Sequence, residues 1–222
     1  MGAAGVRAAL ACAVLVSVSA CVPAAGSQKA SPDAVGLLAA LGESRTEDTG
    51  AHYDRDAWGG WASHGGGCNT REVVLAEQAV TGSPFKRGKG CTPLCPVAAG
   101  SAPVPCWVSR YDGVSVVDPN GLQVDHVVPV KEANRSGARG WSAERRAEFY
   151  NDHANLWAVT GKSNGSKSDK DPGRWRPADR TSWCAYATAY AQVKAKYRLH
   201  VDAAELAGLR SMLNTCPAGG VR

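Results

Sequence analysis

The chain has 222 residues, of which 20% are charged, and a formal net charge of +5 at pH 7. This length predicts a single domain with extensions. Beyond the first twenty residues, no segment approaches the roughly 18 apolar residues that a membrane-spanning helix needs, which excludes a mature protein that crosses a membrane. The small positive charge alone does not point to any class of partner.

The amino terminus has the features of an export signal. Arg7 is followed by an uncharged stretch of small and apolar residues that ends at Ala20, and this stretch is too short to span a bilayer. We therefore assign residues 1–20 to a signal peptide. Two readings of the cleavage site stay open: a bacterial lipobox, which would leave a lipid anchor on Cys21, or an ordinary signal peptidase site after Ala20 or Ala25.

The rest of the chain divides into three parts. Residues 21–52 form a leader, in which a Ser-Pro pair starts a short helix over 33–41 and a polar linker covers 42–52. Serine as the cap and proline at the first helical position favour that helix. The compact domain, 53–216, begins at an aromatic-rich stretch, and 217–222 is a tail.

Within the domain, apolar spacing and turn residues predict helices and strands. Residues 114–117 and 122–128 are strand-like and are separated by a strong turn signal, so we expect a β-hairpin there. A further short strand is predicted at 155–159, and the polar stretch 161–172 is either a loop or a weak helix. The helices are expected at 69–78, 142–152, 183–197 and 202–213.

The last two helices predict a disulfide. They are joined by a short turn and run antiparallel, with Cys184 at the start of the first and Cys216 at the end of the second. A bridge between them would contribute about 3–4 kcal/mol, mainly by restricting the unfolded chain. An even number of cysteines in an exported chain favours disulfides in general. The pairing among Cys68, Cys91, Cys95 and Cys106 stays open, with a zinc site at Cys91 and Cys95 as the second reading.

Basic residues gather in one part of the domain. From His126 to His200 there are fourteen Lys or Arg residues and seven Asp or Glu residues. Such a segment is typical of a protein that meets a polyanion. From charge alone a solvated surface is the favoured interpretation, so a role in binding needs support from chemistry.

The same segment carries residues suited to hydrolysis of a phosphodiester. That reaction needs a base for a water molecule, a cation for the charge on the phosphate, and fixed positioning. His126 is a suitable base because the ordinary pKa of histidine is about 6.5. Asp125 and Asn164 offer the oxygen ligands that a hard cation such as Mg²⁺ prefers. Lys167 supplies a positive charge for the phosphate.

These residues and their spacing resemble those of the HNH, or ββα-metal, nucleases. The matching positions are Asp125-His126-x-x-Pro129, then Asn155, then Asn164-x-x-Lys167. The wider pattern is similar to the secreted HNH-family proteins of actinobacteria, which are related to the C-terminal nuclease domain of GmrSD-type restriction enzymes. The shared landmarks, which spread the resemblance over 31–216, are Tyr53-Asp54-Arg55, Gly67 to Arg71, Tyr111-Asp112-Gly113, Ser136-Gly137-Ala138 and Lys167 to Pro172.

The resemblance implies a role for each site residue. Asp125 and Asn164 would bind the metal, His126 would be the general base, and Asn155 would brace the backbone that presents His126. Adjacent residues of a strand point to opposite faces, so Asp125 and His126 can share a site only near the end of a strand. Pro129, just beyond them, is consistent with such an end.

The resemblance also implies the substrate contacts and the fold. Lys167 and, with less support, Arg71 would contact phosphate. The fold would be α+β, a ββα-metal (HNH) core with flanking helices, stabilised by disulfides. Residues 122–128 and 155–159 would be the two strands of that core.

We therefore predict an exported, monomeric endonuclease that hydrolyses DNA, or RNA, with Mg²⁺ or another divalent cation such as Mn²⁺ and with low sequence specificity. It would be secreted or attached to the cell surface. One rival is a surface-attached nucleic-acid-binding lipoprotein with a degenerate nuclease fold, and another is a secreted antibacterial toxin. The remaining histidines, which we expect on the surface or in loops, are His52, His64, His153 and His200.

Overall fold

The computed structural model describes residue 1 and residues 32–41, 45–50 and 52–217. The predictions for the signal peptide, the Cys21 anchor and most of the carboxyl-terminal tail lie outside these residues. The described chain forms seven α-helices and eight short strands, and the strands associate as four separate antiparallel pairs. This is the α+β class that the sequence predicts.

The elements follow one another along the chain with short connections. The helices are α1 Pro32–Ala40, α2 Thr70–Glu77, α3 Val130–Arg135, α4 Ala143–Tyr150, α5 Gly161–Lys167, α6 Trp183–Tyr197 and α7 Ala203–Leu213. The strands are β1 Ser63–Gly65, β2 Cys68–Asn69, β3 Lys86–Arg87, β4 Pro93–Leu94, β5 Trp107–Val108, β6 Ser115–Val116, β7 Leu122–His126 and β8 Leu156–Thr160.

The predicted hairpin of 114–117 with 122–128 is wrong. The β6 strand pairs with β5, and β7 pairs instead with β8, in a register that places Leu122 opposite Thr160 and His126 opposite Leu156. The turn residues between β6 and β7 form a short 3-10 turn that the Asp118 side chain caps. The turn therefore forms as predicted, but it does not determine the partner of β7. The partner is β8, whose first four residues are all buried.

Most helix predictions are confirmed, and side-chain caps explain where the helices begin. Asn69 starts α2 and Asp202 starts α7, each with a capping box that satisfies free backbone N–H groups. Ser142 caps α4 as expected. Thr160 caps α5 through the backbone N–H of Ser163, so the polar stretch after β8 begins as a helix rather than a loop. The short helix α3 was not predicted.

One hydrophobic core joins the helices to the central strand pair. The apolar stripe of α6, predicted from its spacing, is buried, with Tyr186 and Tyr190 both fully enclosed. The described part of the leader also belongs to this body: α1 packs against α6, Leu41 is buried, and the Arg45 N–H donates to the Val201 carbonyl at 2.8 Å. The β7–β8 pair therefore packs against a core formed largely by helices.

Three disulfides cross-link the described chain. Cys184 pairs with Cys216 between α6 and α7, as the antiparallel helices predict. The other two bonds, which the sequence left open, are Cys68–Cys91 and Cys95–Cys106. Because all four of these sulfurs are oxidised, the zinc reading for Cys91 and Cys95 is wrong. Within the described ranges, no helix is long and apolar enough to cross a membrane.

Candidate active site

Two paired strands and the helix that follows them form the frame of the site. β7 and β8 pair along their whole length, and α5 begins at the residue directly after β8. β7 ends at His126, so Asp125 and His126 lie at a strand end, where the alternation of side chains no longer separates them. Asn164 lies in the first turns of α5.

Asp125, His126 and Asn164 line one cleft. The cleft has a volume of about 490 Å³ and is open to solvent. Asp125 and His126 are only 8% and 6% exposed, so each presents a small part of its side chain to the cleft. The structure thus brings together the three residues that the sequence selected. Other residues that line the cleft are Tyr53, Arg55, Gln123, Lys131 and Asp169.

The His126 ring is held in a fixed orientation with one free nitrogen. Its Nε2 lies 2.8 Å from the Tyr150 carbonyl, which belongs to the last turn of α4 and can only accept a hydrogen bond. Nε2 therefore carries the proton, and Nδ1 keeps its lone pair. The ring lies nearly parallel to those of Trp61 and Phe149, with centroid distances of 5.6 and 6.3 Å.

Burial sets the protonation state of this imidazole. Burial lowers the pKa of His126 to about 4, although the Tyr150 carbonyl and the Asp125 carboxylate act in the opposite direction. The ring is therefore neutral at pH 7 and has its lone pair available. A neutral, oriented imidazole is the form that accepts a proton from a water molecule.

The Asp125 carboxylate is fixed through one of its two oxygens. Its Oδ2 accepts a hydrogen bond of 2.7 Å from the Tyr111 hydroxyl and a second contact of 2.7 Å from the Lys167 ammonium. Both partners are fully buried. Oδ1 is the oxygen left for a ligand in the cleft.

The Asn164 amide is oriented in a comparable way. Its Nδ2 donates to the side-chain oxygen of Gln123 at 2.7 Å, across the β7–α5 contact. The amide nitrogen is thereby occupied, and Oδ1 is the atom left for a cation. Asp125 and Asn164 thus each offer one oxygen to the same cleft.

Asn155 lies behind the site and not in the cleft. It is fully buried in the 3-10 turn directly before β8, where its Oδ1 accepts from the Val128 N–H at 2.8 Å and its Nδ2 donates to the Val128 carbonyl at 3.3 Å. The backbone carbonyl of Asn155 also accepts from the Val127 N–H at 2.8 Å. The segment that directly follows His126 is therefore attached to β8 by three hydrogen bonds.

The structure does not place Lys167 in the cleft, where the predicted phosphate contact would require it. Its side chain is fully buried, and Nζ donates to the His126 carbonyl at 2.8 Å while it pairs with Asp125. The last residue of α5 points back beneath the end of β7, so its ammonium group is enclosed by protein and does not face the cleft. It links the Asp125 side chain to the His126 backbone.

Arg71 lies outside this cleft. Its guanidinium donates to the carbonyl oxygens of Pro119 and Leu122 at 3.4 and 3.3 Å, and it lines another cleft of about 630 Å³ together with Asn69 and Asp118. The structure therefore does not bring Arg71 together with His126.

Two cationic residues of the cleft were not selected from the sequence. Arg55 precedes the domain core in the chain, and its guanidinium donates to the Tyr150 hydroxyl at 3.2 Å. Lys131, in the first turn of α3, is about half exposed and pairs with Asp169 at 3.0 Å. Arg55 is part of Tyr53-Asp54-Arg55, a landmark of the family resemblance, and the local sequence did not indicate its contact with Tyr150, 95 positions later.

A compact acidic cluster lies elsewhere, away from the cleft. Oxygen atoms of Glu47, Glu132 and Asp171 approach within 4.8 Å of one another. Arginine and lysine side chains already pair with them, through Arg135, Arg174 and Lys194. This cluster is a buried ion network and not a second active site.

The comparisons with known proteins agree with this frame. The sequence model of the family described as GmrSD restriction endonucleases, C-terminal domain, matches residues 108–211, a range that includes β7, β8 and α5. An uncharacterized secreted protein of Arthroderma benhamiae is 38% identical over 170 residues, which cover 74% of this chain and 76% of the relative. No solved structure matches the chain.

The chain belongs to the family of the GmrSD restriction endonuclease C-terminal domain. This is a nuclease-domain family. The secreted relative and the three disulfides also place the protein outside the cytoplasm.

Proposed function

We propose that this protein is a metal-dependent HNH endonuclease that hydrolyses phosphodiester bonds of DNA with low sequence specificity. The observation that carries the proposal is the shared cleft, in which the neutral His126 imidazole lies beside the Asp125 carboxylate and the Asn164 amide. The family description names restriction endonucleases, which act on DNA, and so favours DNA over RNA.

The residues of the cleft fit a hard divalent cation. One carboxylate oxygen of Asp125 and one amide oxygen of Asn164 are left free by their own hydrogen bonds. Mg²⁺ is held by few protein oxygens and keeps several waters, for which an open cleft of about 490 Å³ has room. When bound there, Mg²⁺ or Mn²⁺ would supply Lewis-acid stabilisation of the charge on the phosphate and the leaving oxygen.

The chain itself supplies the base and its alignment. His126 accepts the proton of the attacking water at Nδ1, because Nε2 is already committed to the Tyr150 carbonyl. The rings of Trp61 and Phe149, which lie nearly parallel to the imidazole and pack near it, restrict its rotation. Asn155 holds the backbone that follows His126, and this contact supports a role in positioning.

Arg55 and Lys131 are the groups that we assign to the phosphates of the substrate. Both line the cleft, and the Lys131 side chain is 49% exposed. Contacts to phosphate carry no sequence information, so they agree with low specificity. Binding should then weaken as salt is added, because each neutralised phosphate releases counterions.

Cleavage of a supercoiled plasmid tests the proposal. Wild type should nick it with Mg²⁺ or Mn²⁺ and stop when EDTA is added, whereas His126→Ala should remain inactive with either ion. His52→Ala, at an exposed histidine outside the cleft, is the matched control and should cut like wild type. A single-stranded RNA of similar length, tested in parallel, measures the preference for DNA.

One result would favour the rival function. Wild-type protein that retains DNA in a gel-shift assay but never nicks it with either ion would be a nucleic-acid-binding protein with a degenerate nuclease fold. Cleavage that continues in EDTA would contradict the role of the metal, but the assignment of the protein as a nuclease would stand.

A further inference from the structure

A pair of histidines lies outside the cleft. His64 is on β1, and His153 is in the 3-10 turn directly before β8. Their ring centroids are 6.1 Å apart, and the ring planes make an angle of 67°. Neither residue lines the cleft of His126, so the pair is separate from the proposed nuclease site.

The hydrogen bonds around His64 determine which of its nitrogens is free. The Thr70 hydroxyl donates to the Asn151 side-chain oxygen at 2.6 Å, and that oxygen also accepts from the Ala62 N–H at 2.8 Å. The Thr70 oxygen can therefore only accept from His64 Nε2, which lies 3.1 Å away. Nε2 carries the proton, and Nδ1 keeps a lone pair.

The same reasoning fixes the tautomer of His153. Its Nδ1 lies 2.9 Å from an oxygen of Glu77, and a carboxylate only accepts. Nδ1 therefore carries the proton, and Nε2 keeps the lone pair. A histidine that binds a metal through one nitrogen usually donates the other N–H to a carboxylate or a similar acceptor. His64 and His153 both have this arrangement.

We propose that His64 Nδ1 and His153 Nε2 bind one divalent transition-metal ion, with Zn²⁺ as the most suitable, and that Glu77 orients His153 without binding the ion. With Zn–N bonds of about 2.1 Å and tetrahedral angles, two imidazoles on one ion have ring centroids about 5–6 Å apart. The observed 6.1 Å is close to that spacing. His64 and Glu77 are both exposed, so their side chains are free to adjust when an ion binds.

Chemistry separates this site from the proposed nuclease site. Imidazole nitrogens suit Zn²⁺, Cu²⁺ and Ni²⁺, whereas carboxylate and amide oxygens suit Mg²⁺ and Mn²⁺. Water would complete the coordination of an ion held by two histidines. The ion would join β1 to the turn that carries Asn155 and would thereby stabilise two segments that flank the active site.

Calorimetric titration of the purified protein with ZnCl₂ tests this site. The Asp125→Ala variant serves as the background, because it removes the carboxylate of the nuclease site. In that background zinc should still bind, and His64→Ala and His153→Ala should each weaken the affinity at least tenfold. His52→Ala is the matched control and should have no effect. Glu77→Gln should weaken binding by about 10–100-fold, as loss of an orienting carboxylate does.

A second measurement keeps the proposal open to refutation even if a variant folds poorly. X-ray absorption at the zinc edge of the wild-type protein, loaded with one equivalent of zinc in the presence of excess Mg²⁺, should show scattering from two imidazoles. Zinc affinity that is unchanged by both His64→Ala and His153→Ala would overturn the proposal. So would an absorption spectrum without histidine ligands.

Discussion

Two fully buried lysines of this protein differ in the number of carboxylates that surround them. Lys167, beneath the active site, has one carboxylate partner, Asp125, and one carbonyl partner. Lys194, on α6, has two carboxylate partners, Glu132 and Glu205, at 2.7 and 2.8 Å. Its ammonium also contacts the Ser136 hydroxyl and the His200 carbonyl.

The difference appears in the pKa values of the two ammonium groups. Burial lowers the pKa of Lys167, and the attraction of Asp125 offsets only part of that effect. Burial also acts to lower the pKa of Lys194, but Glu205 and Glu132 outweigh it and hold the pKa above its ordinary value. Lys194, which lies outside the active site, is therefore compensated by two carboxylates. Lys167, beneath the active site, is compensated by only one. Sites often differ from scaffolds in this way.

The largest expected effect is the loss of stability when Lys194 is replaced. Lys194→Met leaves two buried carboxylates without their shared partner and should lower the free energy of unfolding by about 3–5 kcal/mol, as measured by urea denaturation. Nuclease activity per folded molecule should be unchanged. Lys196→Met is the control, since Lys196 is half exposed and pairs with Asp152, and should cost about 0–1 kcal/mol. Equal losses in the two variants would contradict the role of Lys194.

The corresponding change at the site should affect activity more than stability. Lys167→Met removes the group that joins Asp125 to the His126 carbonyl, so the metal concentration for half-maximal cleavage should rise by about 10–100-fold. The destabilisation should be smaller than for Lys194→Met, because only one carboxylate loses a partner. An unchanged metal dependence would show that Lys167 is merely structural.

The buried cluster of Lys194, Glu132 and Glu205 should also make the stability of the protein depend on pH. Burial raises the pKa of Glu205 from 4.5 to about 7 against the attraction of Lys194. Arg135 provides a second cation for Glu132 but not for Glu205. Between the ordinary pKa of 4.5 and the raised pKa of about 7, Glu205 therefore stays protonated in the folded protein but loses its proton in the unfolded chain. The contribution of Glu205 to stability is present below the unfolded pKa and is lost as the pH rises toward 7.

Glu205→Gln removes that contribution to the pH dependence. Urea unfolding at pH 5 and pH 7.5 should show that wild type loses more stability on going to the higher pH than the variant does. Glu148→Gln, at an exposed carboxylate of α4, is the control and should follow wild type. Parallel profiles for all three proteins would contradict the raised pKa.

The smallest expected effect concerns the exposed cation of the cleft. Lys131→Gln should raise KM for DNA several-fold with little change in kcat, and it should reduce the slope of log affinity against log salt by about 1. Lys86→Gln, on β3 and far from the cleft in the fold, should change neither value. A fall in kcat without a change in KM would assign Lys131 to the chemistry.

The sequence was most informative where chemistry and spacing coincide. Asp125, His126 and Asn164 could be selected together because a base and two oxygen ligands recur at a known spacing, and the structure places them in one cleft. Lys167 belongs to the same motif, but spacing does not reveal the direction of a side chain. Its position at the end of α5 turns it inward.

Other features depend on contacts between distant segments. Arg55 and Trp61 reach the site from residues far earlier in the chain, and no local periodicity indicates this. The wrong hairpin has the same origin, because a turn signal is local whereas the choice of β8 as the partner of β7 is made by burial. The Cys184–Cys216 bond could be predicted because two adjacent antiparallel helices define it.

Chemical rescue of a single variant tests the role of His126 most directly. His126→Gly removes the imidazole and leaves a space beside Trp61 and Phe149 that free imidazole can enter. Plasmid nicking with Mg²⁺ should fall by about 10²–10⁴-fold in this variant and should recover in part when imidazole is added, with the greater recovery at a pH where imidazole is neutral. Nicking by His126→Gly at the wild-type rate without imidazole would contradict the account.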